Sequence, residues 1–138
     1  MAEKSNTRWL AIILGGLLAF LASLAITAAT VAGYAFVLAV RAQGAPDPNK
    51  ISAFANHYIP LLAPIVLSLL VLIVARWVVR RDQSQRTLPG VLVGVVAGLL
   101  TLVFVRRPEW QDLIGLLLPP VAGWLGALWA RSRSPVIR

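Results

Sequence analysis

The chain has 138 residues, 59% of them hydrophobic and 13% charged, with a formal net charge of +8 and a mean hydropathy of +0.80. A charged share about half that of a soluble domain leaves too little polar surface to wrap a water-soluble core, and long uninterrupted apolar runs place the chain among integral membrane proteins. The lack of cysteine excludes disulfides, thiolate nucleophiles and cysteine metal sites, and the length admits a single domain, 1–138.

The first apolar segment spans about 9–40. Lys4 and Arg8 precede it as they would in a signal peptide, but a cleavable core is roughly 7–15 residues long. The uncharged run from Trp9 to Val40 is far longer and is read as a transmembrane helix. Straight, it would reach about 48 Å, so it must tilt or pass beyond the hydrocarbon on one side. Two lines of small residues follow a spacing of four: Gly15, Ala19, Ser23 and Thr27, then Ala25, Ala29 and Gly33. In lipid such lines permit close helix approach. Ser23, Thr27, Thr30 and Tyr34 add a mildly polar line, read as packing that satisfies itself.

An outer loop, 41–57, follows. Gly44, Pro46, Asp47 and Pro48 supply turn chemistry. Asn49 is expected to cap a short interfacial helix over 50–57, with Ile51, Phe54, Ala55 and Tyr58 at helical spacing. His57 is the one histidine. A histidine can ligate a tetrapyrrole metal, but the simpler reading is an interfacial aromatic beside Tyr58, so no cofactor is expected beyond that option.

The second segment, about 58–79, is rich in leucine and valine and has no small-residue line. It is expected to face lipid or a bulky partner. Pro60 and Pro64 fall in its first turns. The third segment, about 88–105, places Gly90, Gly94 and Gly98 on one face. Each glycine costs a helix about 1 kcal/mol relative to alanine, so the face must be rewarded by close packing, either against the first helix or against another chain. "RRPEWQD" leads onward: Pro108 suits a first helical position, and Glu109 and Asp112 suit the positive end of a helix. The fourth segment, about 110–130, has Ala122, Gly126 and Ala130 in register. Its mid-helix Pro119 and Pro120, like Pro64, predict a kink.

The fold expected is therefore an all-α integral membrane bundle of four transmembrane helices in two tandem hairpins. A weak internal echo fits such hairpins: Val40-Arg41 against Val105-Arg106, and "LLAP" at 61–64 against "LLPP" at 117–120. Nine of the thirteen Lys and Arg residues fall on the side of the termini and the middle connection, and four on the other side. By the positive-inside rule both termini face the cytoplasm. Trp9, Trp77 and Trp129 mark that boundary and Trp110 the outer one.

No ionisable residue lies deep within a span, which weighs against proton-coupled export. The five acids, Glu3, Asp47, Asp82, Glu109 and Asp112, are scattered over both sides. No nucleophile set, phosphate loop or metal cluster emerges, so neither catalytic residues nor a metal site are assigned and no enzyme is expected. The basic residues cluster at span ends and imply anionic headgroups, not nucleic acid. The leading expectation is an accessory subunit of the bacterial cytoplasmic membrane, docked on other subunits or on itself through small-residue faces. The alternatives are a homo-oligomeric transporter or channel with a path along helices one and four, and a pigment- or haem-binding subunit using His57.

Overall fold

Between Trp9 and Val40 there is neither a proline nor a charge to interrupt a helix, and one helix, α1, runs over Ala2–Ala42. Three more follow in the computed structural model: α2 over Pro48–Arg81, α3 over Leu88–Phe104 and α4 over Trp110–Ser132. The structure describes residues 2–81, 87–104 and 110–132, with side chains over 9–81, 87–103 and 113–132. The connections at 82–86 and 105–109, with Pro108 and Glu109, lie outside the described residues, as do the side chains of Trp110 and Asp112.

The first loop is shorter than the sequence implies, because both flanking helices extend into it. α1 ends on paired bonds from Gly44 N–H to the Ala39 carbonyl (3.3 Å) and from Gln43 N–H to that of Val40 (3.4 Å), the Schellman pattern. The left-handed position that pattern requires falls on Gln43, with φ 50°, and not on the adjacent Gly44. α2 then starts at Pro48, not at 50 or 58. Asp47 is its cap: Oδ1 accepts the Asn49 N–H at 2.9 Å and the backbone carbonyl accepts that of Ile51 at 3.3 Å. Pro48 occupies the first helical position, where its missing N–H costs nothing. Asn49 therefore does not cap, and 50–57 is no separate interfacial helix but the opening of α2. Pro60 and Pro64 consequently lie well inside an unbroken helix. α3 begins where expected, with the Thr87 carbonyl accepting from Gly90 (3.1 Å) and Val91 (3.3 Å).

Among the described residues three helices are long and apolar enough to cross a membrane: α1 from Trp9, α2 over its full length, and α4 from Leu113. α3 is apolar but shorter. α2 touches all three other helices, and α3 does so too, whereas α1 and α4 share no contact among the described residues. In cross-section α2 and α3 form the short diagonal of a rhombus, with α1 and α4 at its far corners. The lipid-facing side expected of the second helix is present as well: the apolar stretch of α2 is the least buried of the three spans, with Leu61, Ile65, Leu69 and Ile73 exposed along it, while its opposite side meets the other helices. Leu67, Val71, Ala75, Val78 and Val79 of α2 are buried. Bulky ridges are what the smooth faces of α1 and α4 pack against.

The core joins Ile12, Ala19 and Phe20 of α1, Leu67, Val71 and Val78 of α2, Val93 and Ala97 of α3, and Ala122 of α4. Elsewhere the surface is strongly apolar, with Leu18, Ile73, Leu117 and Val103 exposed by 59–77%. α1 and α2 far outrun the other two: 41 and 34 residues against 17 and 23. Their surplus length pairs at the end that carries the loop between them, where Tyr34 stacks on Phe54 with ring centroids 4.0 Å apart and planes 12° apart.

Candidate functional site

The most specific chemistry in the chain is close backbone packing, and the glycines show where it occurs. A Cβ on Gly90 would stand 2.8 Å from the Ala127 Cβ and 2.7 Å from the Gly123 carbonyl oxygen. One on Gly94 would meet the Pro119 carbonyl carbon at 2.6 Å and the Pro120 Cα at 2.7 Å. One on Gly98 would meet Leu116 at 3.3–3.4 Å. Real Cβ atoms do not approach a neighbour below 3.0 Å. The glycine face of α3 is thus covered along its length by α4, and not by α1 or another chain, which are the two covers expected from the sequence. Gly123 returns the contact, pressing on the Gly90 carbonyl.

The remaining small residues divide sharply. Gly126 of α4 lies against the backbone of Leu72 in α2, with Ala122 and Ala130 buried beside it. A Cβ on Gly15 would stand 3.0 and 3.4 Å from Val74 and Val78 of α2, and one on Gly16 would stand 2.7 Å from Val96 of α3. Ala19 and Ser23 continue that buried face of α1. The second line differs: Ala25 and Ala29 are exposed, and Gly33 has no atom within 4 Å of its missing side chain. Gly16 and Gly123 carry tight contacts yet stand outside the stripes of four. The signal that finds Gly123 is the face shared with Pro119 and Ala127, at spacings of four.

The two threonines of the polar line of α1 spend their hydroxyls locally. The Thr27 hydroxyl lies 2.9 Å from the Ser23 carbonyl and 3.0 Å from that of Leu24, and Thr30 donates to that of Ile26 at 2.8 Å. Ser68 and Thr101 bond back to Pro64 and Ala97 in the same way. No buried side-chain polar atom among the described residues lacks a partner. Pro119 is fully buried against α3, and both it and Pro120 sit inside a continuous helix, as Pro64 does.

Two aromatic surfaces occupy opposite ends. At the end that carries the α1–α2 loop an open-sided recess is lined by Tyr34, Lys50, Ala53, Phe54, His57 and Tyr58. The His57 ring stands edge-on to Tyr58 at 4.9 Å, the neighbour expected of an interfacial aromatic, and the side chain is exposed. At the other end the Arg76 guanidinium lies 3.5 Å over the Trp129 ring, joining α2 to α4, and Arg81 lies 4.4 Å over Trp77. Both are cation–π geometries. No family model matches the chain, and no curated protein or solved structure matches it either.

Proposed function

We propose that this chain is a small multi-pass integral membrane protein, with both termini on the cytoplasmic side, that serves as a non-catalytic docking subunit of a larger membrane assembly. The apolar exterior supports the membrane reading. Side chains such as Leu18 and Val103 would each cost on the order of 1 kcal/mol or more in water and nothing against lipid tails. The expected setting is the bacterial cytoplasmic membrane. The observation that carries the docking role is the contrast between the two halves of α1. Its inner half uses Gly15, Gly16, Ala19 and Ser23 to seat against α2 and α3. Its outer half presents Ala25, Ala29 and Gly33 with no helix on them. The glycines of α3 are consumed inside the chain, so the face left for another subunit is on α1. In lipid, small residues permit the close van der Waals approach that replaces the hydrophobic drive.

Purification from native membranes in mild detergent, with mass spectrometry of co-eluting chains, tests this. The expected outcome is a stoichiometric partner that is lost on Gly33→Leu while the chain stays helical by circular dichroism. A lone monomer or plain homo-oligomer at every step refutes it.

A further inference from the structure

The end of the bundle that carries most of the positive charge holds more than scattered arginines. Arg76 and Arg80 lie one turn apart on α2 and so share a face. Arg76 is held from one side by the Trp129 ring of α4. On the other side Trp77, itself exposed, carries Arg81 one turn further on. Directly along the same face, toward the middle of the helix, come Ile73 and Leu69, each 59% exposed. Their spacing is i−4 and i−8 from Trp77 and i−7 and i−11 from Arg80, so they form one track beneath the guanidinium groups. A cationic head region pinned by two indoles, continued by an uncovered apolar track, has the polarity profile of an anionic amphiphile in reverse.

On the membrane reading above, we infer that this face of α2, with Trp129 of α4, is a discrete binding site for one anionic phospholipid. The phosphate bridges Arg76 and Arg80, and an acyl chain lies along Ile73 and Leu69. Guanidinium groups suit the role because they are always charged and offer planar, paired donors to phosphate oxygens. The Trp129 stack fixes the Arg76 plane before the lipid arrives, which lowers the ordering cost of binding. Diffuse attraction between a basic surface and an anionic leaflet would instead weight every arginine of that end alike.

The test uses the full chain in phosphatidylcholine vesicles containing spin-labelled phosphatidylglycerol or spin-labelled phosphatidylcholine, reading the motionally restricted lipid by electron paramagnetic resonance. The wild type should restrict phosphatidylglycerol in preference. Arg76→Gln and Arg80→Gln should each lower that preference about fivefold or more, and Trp129→Leu should lower it with the charge untouched. Arg131→Gln, two residues from Trp129 and so on another face of α4, should change it less than twofold. Arg80 is exposed in the last turn, so its variant carries the test if Arg76→Gln misfolds. Equal restriction of the two lipids, or an equal loss in Arg131→Gln and Arg80→Gln, overturns the site while leaving the membrane reading intact. Failure of the wild type to float with the vesicles removes the membrane reading itself, and the site with it.

Discussion

Replacing Gly94 by alanine adds one methyl group at one of the tightest described approaches of α3 to α4. Its Cβ would stand 2.6 Å from the Pro119 carbonyl carbon and 2.7 Å from the Pro120 Cα, where carbon atoms prefer about 3.5–4.0 Å. The obstructing atoms are backbone in the middle of a helix and cannot rotate away, so the two helices must separate by about 1 Å. Overpacking of this kind costs about 1–3 kcal/mol, and immovable neighbours put this site in the upper part of that range. Alanine recovers about 1 kcal/mol of helix propensity, which leaves a net destabilisation of about 1–2 kcal/mol. Two other glycines calibrate the result. At Gly98 the added methyl meets Leu116 at 3.3–3.4 Å, a contact that a shift of a few tenths of an ångström relieves. At Gly33 it meets nothing within 4 Å, so only the propensity gain remains. Unfolding in mixed micelles titrated with sodium dodecyl sulfate, followed by circular dichroism, should therefore rank the variants G33A, G98A, G94A from most to least stable. A G94A protein as stable as G33A would refute the packing argument, because it would mean that the glycine seam does not bear on α4.

Other substitutions probe the ends of the helices and the outer hairpin. Asp47→Ala removes the cap of α2 and should cost about 1 kcal/mol in the same unfolding titration, whereas Asn49→Ala should have little effect. Gln43→Gly relieves a left-handed residue that carries a side chain and should stabilise the chain by up to about 1 kcal/mol, measurable in the same way. Phe54→Ala removes the stack with Tyr34 and the ring contact with Tyr58. Because no described part of α3 or α4 lies in that cluster, hydrogen exchange should accelerate around 34–58 with the remainder protected as before. Thr30→Val deletes a hydroxyl bonded only to its own helix and should leave stability within about 0.5 kcal/mol.

The run from Trp9 to Val40 needed no tertiary information to be a helix, since nothing in it breaks one. The same holds for the start of α3 after Thr87 and for the glycine face as a place of close approach: three glycines in register on an apolar helix have few other uses. Sequence also determined that the charge belongs at the ends of the runs. It did not determine what covers each face, because small-residue lines on α1, α3 and α4 are mutually compatible and any pair could have been seated together. That choice was made by the shape of the whole bundle. α2, with its leucine and valine ridges, fits between the smooth faces of α1 and α4 and so keeps them apart, which leaves α4 as the cover for Gly90, Gly94 and Gly98. The loop boundary was likewise decided by local geometry. Turn-forming residues read as a long loop, yet Asp47 with Pro48 behind it is a complete helix start, and the helix it launches carries straight through Pro60 and Pro64. Only the tertiary structure set Arg76 on Trp129: tandem hairpins already run α2 and α4 in the same direction, but that the two stand side by side is a relation that no local spacing encodes.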